Sequence, residues 1–190
     1  MGNMYVNNAS VFLIQTLFGF ALLIIMLRTM LQMVRADFHN PVSQFIVKVS
    51  NPLIIPLRRL IPSIGGLDTA SLLLLLVLQC LELLLIGLVA NFSFTPLGLV
   101  MQAIAGLLSL LLKIYIFGIL IQVILSWVSP GNYNPVTGIL YQINEPLLRP
   151  ARRLLPPISG FDLSPIIVMI ALQLMTMLVL APFADFARSF

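Results

Sequence analysis

A chain of 190 residues in which 60% are hydrophobic and only 8% are charged has too few polar side chains to cover a water-soluble globule. Its formal charge of +4 comes from 10 Lys and Arg against 6 Asp and Glu, so where the charges fall carries more information than their sum. The composition is that of an integral membrane protein, and no nucleic-acid partner is expected.

Residues Met1 to Ser10 carry no charge, and Asn7, Asn8 and Ser10 offer helix-starting chemistry ahead of the first apolar run. Met1-Gly2 fails the myristoylation pattern because Val6 stands where Ser or Thr is wanted. Apolar runs cover Val11 to Val34, Thr69 to Phe92, Leu97 to Val128 and Leu163 to Phe183. Each reaches the roughly 20 residues that a helix needs to cross about 30 Å of hydrocarbon, where helix is the structure that satisfies an isolated span's backbone. Four spans are expected. The first lacks a preceding basic segment and a following small-residue cleavage site, so it is expected to remain as a span. The single cysteine, Cys80, lies in the second span and excludes an internal disulfide.

Between the first and second spans lies NPVSQFIVKVSNPLIIPLRRLIPSIGGLD, from Asn40 to Asp68. Between the third and fourth lies NPVTGILYQINEPLLRPARRLLPPISGFD, from Asn134 to Asp162. Asn40/Asn134, Pro41/Pro135, Pro52/Pro146, Pro56/Pro150, Arg58/Arg152, Arg59/Arg153, Pro62/Pro156, Gly66/Gly160 and Asp68/Asp162 match without a gap, each pair 94 positions apart. The chain is a duplication, with repeats at 1–94 and 95–190 and basic loops at 35–68 and 129–162. Because two spans separate the loops, both lie on one side of the membrane and the repeats are parallel. Arg35, Lys48, Arg58, Arg59, Arg149, Arg152 and Arg153 fall in these loops, whereas the opposite side offers Arg188. The positive-inside rule puts the loops in the cytoplasm and both termini outside. The fold class is all-α: four transmembrane helices in two parallel tandem repeats, each with a cytoplasmic interfacial helical hairpin.

Within each loop, Asn40 or Asn134 is an N-cap before Pro41 or Pro135, and Val42, Phe45, Ile46 and Val49 recur at helical spacing. That spacing predicts a short amphipathic helix lying on the membrane, then a second one after Pro52 or Pro146 that Pro62 or Pro156 stops. Asp68 and Asp162 are placed to cap the following spans, with Gly66 and Gly160 permitting the backbone reversal.

The arginine pairs, framed by Pro56 and Pro62 and by Pro150 and Pro156, are the most specific polar feature. With Arg149 they suit lipid phosphates or an acidic partner segment, and positive-inside charge alone would also place them here. A second polar group lies inside the spans: Glu82 and Lys113 at similar counted depth, Gln79 one turn from Glu82, and Gln173 as the counterpart of Gln79. This group reads either as a structural ion pair or as part of a polar path. Its charges do not recur, since Thr176 corresponds to Glu82 and Gly19 to Lys113. Arg28, seven residues before Arg35, is expected to snorkel toward the cytoplasmic surface. His39 has no nearby His or Cys, so no metal, haem or other cofactor is expected, and no nucleophile and base pair suggests an enzyme. Trp127 and Tyr133 are read as interface anchors.

The repeated pattern, asparagine-proline followed by spaced prolines, an arginine pair and a glycine-x-aspartate close, resembles the YggT family of bacterial membrane proteins, called YlmG in relatives of plastid lineages. Two family units in tandem would cover nearly the whole chain. The resemblance implies a small inner-membrane protein without an established catalytic activity. It also implies associations with cytochrome maturation in plastids, with cell-division gene neighbourhoods or chromosome and membrane organisation, and with tolerance of osmotic stress. Its basic motif falls on Arg58, Arg59, Arg152 and Arg153. The leading expectation is a non-enzymatic assembly or organising factor whose loops hold anionic phospholipid headgroups and a membrane-protein partner. The alternative is a transporter or channel component in ion or osmotic balance. That alternative would call for a homo-oligomer, since four spans enclose little space.

Overall fold

The structure, a computed structural model, describes residues 2–61, 68–128, 134–154 and 162–189. Pro62, Gly66, Tyr133, Pro156 and Gly160 lie outside these. Among the described residues the chain is helical and has no strand. The elements are α1 (Gly2–Met33), α2 (Pro41–Leu60), α3 (Thr69–Ala90), α4 (Pro96–Val128), α5 (Pro135–Leu154), α6 (Ser164–Met175), a π-helical turn (Thr176–Leu180) and α7 (Ala181–Arg188).

Among the described residues four segments are long and apolar enough to cross a membrane: Met4–Met33, Thr69–Ala90, Pro96–Val128 and Ser164–Arg188. The last is continuous through the π turn. Ala181 N–H reaches back five residues to the Thr176 carbonyl, and the widened turn makes room for Pro182, which a regular α-helix would exclude by clash with the preceding turn. The spans form an open row. α1 packs on α3, α3 on α4, and α4 on the α6–α7 span, while α2 and α5 fill the angle at one end and touch each other.

α2 and α5 depart from the expected pair of short helices. Each is one helix of 20 residues that runs through two internal prolines, Pro52 and Pro56 or Pro146 and Pro150. The prolines sit four apart and all four are exposed. The carbonyls they leave without an N–H partner therefore line one outward stripe, where solvent satisfies them and the helix survives. The predicted starts hold. Asn40 Oδ1 accepts from Val42 N–H at 2.9 Å, and Asn134 Oδ1 accepts from Thr137 N–H at 2.9 Å.

The apolar stripe of α2 is divided between two faces. Ile46 and Ile54 turn inward with Ser43 and Ser50, all buried, whereas Phe45, Val49 and Leu53 face outward. One core joins α1, α2 and α3 and takes in Ile139 and Ile143 of α5; a second joins α4, Leu148 of α5 and the α6–α7 span.

Candidate functional site

The two arginines of each pair have different environments. Arg58 Nε donates to Asp68 Oδ1 at 3.3 Å and Nη2 donates to Asp68 Oδ2 and, at 3.1 Å, to Gln32 Oε1. Arg152 Nε donates to Asp162 Oδ2 at 2.9 Å and Nη1 to Glu145 Oε2 at 2.8 Å. In both halves the first arginine therefore reaches ten residues along to the repeated aspartate. Asp68 also caps α3, accepting from Ser71 N–H at 3.4 Å, and Asp162 accepts from Ser164 N–H at 2.9 Å just ahead of α6. The arginine thus pins the end of the connecting helix to the start of the following span. Burial pushes both carboxyls up, but Arg58 and Ser71 at Asp68, and Ser164 and Arg152 at Asp162, outweigh it and hold them below the usual carboxylate range.

The second arginines face outward. Arg59, Arg153 and Arg149 are exposed and make no ion pair or hydrogen bond among the described residues. Arg149 lines an open groove of about 330 Å³ together with Val34, Gln142, Glu145 and Pro146. The helices carrying these groups are joined across the halves. Asn40 Nδ2 donates to the Pro135 carbonyl at 2.7 Å, and Asp37 N–H donates to Gln142 Oε1 at 2.9 Å.

Each connecting helix is also locked to the span before it, by a device the sequence reading did not identify. Arg28 is buried rather than snorkelling. Its Nη1 donates to Ser50 Oγ at 2.7 Å, Asn51 Oδ1 at 2.8 Å and the Val47 carbonyl at 3.3 Å. α2 folds over the end of α1 and offers these acceptors closer than the open surface. In the second half, Asn144 Nδ2 donates to Gln122 Oε1 at 2.8 Å, with Asn144 packed against Gly118, where a Cβ would meet its Oδ1 at 3.1 Å. Gln122 is the counterpart of Arg28 and Asn144 of Ser50. The lock is duplicated in position while both of its members differ in kind.

The intramembrane cluster comes together only in part. Gln79 Nε2 donates to Glu82 Oε2 at 2.8 Å, and both side chains are buried. Glu82 makes no ion pair with Lys113, which is exposed, and Gln173 is exposed as well. The register explains the miss. Gln79 packs against Gly106, where a Cβ would come within 3.2 Å of its Cδ. On antiparallel helices Lys113 then lies about 10 Å from that level in one direction and Glu82 about 4.5 Å in the other. Counting depth from Asp68 and Val128 assumed ends at one level, whereas α4 extends beyond α3.

A second cleft, of about 350 Å³, opens beside this region between α3, α4 and the α6–α7 span. Its polar lining is Gln102, Ser109, Thr176 and Arg188. His39 is exposed and within 3.2 Å of Asp37. Among the described residues no group of three or more His, Cys, Asp or Glu side chains is placed to hold a metal.

The CCB3/YggT family matches residues 7–89 and again 101–183, two stretches offset by the same 94 positions that separate the basic loops. The chain is 48% identical over 178 residues to an uncharacterized protein of Pseudomonas aeruginosa, covering 92% of this chain and 89% of that one. It is 42% identical over 175 residues to an uncharacterized protein encoded in the proC 3' region of Vibrio alginolyticus (87% and 90%), and 41% over 173 residues to the uncharacterized protein YggT of Escherichia coli K12 (90% and 88%). No solved structure matches the chain. With two tandem matches whose spacing equals that of the duplicated loops, the chain belongs to the CCB3/YggT family.

Proposed function

We propose that this protein is a non-enzymatic organising factor of the bacterial inner membrane, and that its paired connecting helices form a basic platform on the cytoplasmic face. The observation that carries this reading is the division of labour within the arginine pairs. Arg58 and Arg152 are engaged in holding the spans, which leaves Arg59, Arg153 and Arg149 without partners among the described residues, on helices fixed to the bundle and to each other. Planar guanidinium forks held in place suit phosphate oxygens, and the groove beside Arg149 has room for a phospholipid headgroup. The outward Leu53 and Ile55 suit a helix lying at the headgroup and acyl boundary. The same cations would receive an acidic segment of a membrane-protein partner. Positive-inside charge supports cytoplasmic loops and outer termini.

A photo-reactive residue in place of Leu154, beside Arg153 and exposed, tests the platform in living cells. Crosslinks to anionic phospholipid or to one defined membrane protein are expected. Crosslinks confined to zwitterionic lipid would overturn it. Glu82, a carboxyl buried in a span with the Gln79 amide as its hydrogen-bond partner, favours the transport reading as an alternative. That reading requires ion or osmolyte flux in reconstituted vesicles that changes with Glu82→Gln, and flux equal to empty vesicles would reject it.

A further inference from the structure

The two halves share a plan, but their equivalent surfaces are not used equally. The second half rests on the first through Leu107, Leu111 and Ile114 of α4 and through Ile139 and Ile143 of α5, all packed into the core of α1, α2 and α3. Their counterparts 94 positions earlier stand open. Ile139 and Ile143 are 6% and 4% exposed, whereas Phe45 and Val49 are 60% and 40% exposed. Leu13, Leu17 and Phe20, the counterparts of the three α4 residues, are exposed along α1.

The receiving side shows the same imbalance. Met30 of α1 is 2% exposed and its counterpart on α4, Ile124, is 46% exposed. Leu27 packs against the first core while its counterpart Ile121 is open. Gln79 sits in the internal junction against Gly106, and its counterpart Gln173 is exposed. Gln173 lies eleven residues past Asp162, about 16 Å into the span, without a hydrogen-bond partner among the described residues. Apolar side chains facing lipid are ordinary, but an unpartnered amide at that depth calls for another helix.

The chain therefore carries one filled junction between unlike faces and an unfilled copy of each of those faces at its two ends. We propose that a second copy of this chain fills them, the α1–α2 face of one copy seating on the α4–α6 face of the next. The contact is head to tail, so it closes into a ring or extends according to the rotation between halves. It is not an identical repeat of the internal junction. Phe12 stands where Gly106 allows close approach, so at that level α1 sits further from its neighbour than α4 does from α3.

The test uses membranes containing two distinctly tagged full-length chains, both Cys80→Ser, one carrying Phe12→Cys and the other Gln173→Cys, treated with a short bismaleimide. The expected product carries both tags, at about tenfold the crosslinked yield of either variant alone. No mixed product, an equal yield from Phe12→Cys alone, or crosslinks only to another protein would overturn the proposal. Native mass spectrometry of the unsubstituted protein extracted with its surrounding lipid gives an independent reading. Masses of two or more copies are expected, and single copies throughout would overturn it even if the cysteine variants fold poorly.

Discussion

Arg58 and Arg152 bind the aspartates that start or precede the following spans, so removing either strands a carboxylate, with Asp68 the more deeply buried of the two. Arg58→Ala is expected to lower stability by about 1–2 kcal/mol, moderated by the solvent exposure of the arginine. Arg59→Ala should change it by less than about 0.5 kcal/mol. Thermal unfolding in a mild detergent separates the two. The aspartates add a pH dependence. Their folded-state carboxyls are held below the ordinary range, so the stabilisation is complete above about pH 4 and fades as pH falls through the lowered folded values. Asp68→Asn should cost stability at neutral pH and flatten that acid limb. The duplicated lock gives a sharper test. Gln122→Arg and Asn144→Ser each disturb the second half, but together they place the Arg28 and Ser50 pair there, with Gly118 leaving room beside it. The double variant should be more stable than the sum of the single losses by about 1 kcal/mol in a double-mutant cycle. Strict additivity would mean that the two positions do not act together.

At the scale of elements, α2 and α5 run unbroken through prolines that the sequence suggests as breaks. Amide hydrogen exchange should show protection on both sides of Pro52, from Phe45 to Asn51 and again from Leu57 to Ile61, with no labile joint between. Two helices on a hinge would instead exchange quickly around Pro52. The spans, the N-caps at Asn40 and Asn134 and the capping aspartate of α3 were legible because each is a local pattern in the residues themselves. Proline stopping power was misjudged because it depends on which way the freed carbonyls face, and that is set by docking. The pairing of Glu82 with Lys113 failed for a related reason: helical rise gives distance along each span but not the relative shift of two spans, which Gln79 against Gly106 fixes.

For the whole molecule, the duplication was legible from identical residues, yet its most informative members are not identical. Arg28 with Ser50 and Gln122 with Asn144 occupy equivalent places with different chemistry, so matching like with like passes over them. The platform depends on both halves together, since Asn40 reaches the Pro135 carbonyl and Asp37 reaches Gln142. Its central claim is that the outward arginines hold anionic headgroups while the inward ones hold the fold. The most direct measurement is the number of anionic phospholipids retained by the purified protein under native mass spectrometry. The unsubstituted chain is compared with Arg59→Ala/Arg153→Ala and with Arg152→Ala. Loss of retained anionic lipid in the double variant with its unfolding temperature unchanged, alongside near-normal retention but a lower unfolding temperature in Arg152→Ala, is the predicted result. Unchanged retention in Arg59→Ala/Arg153→Ala would contradict the account.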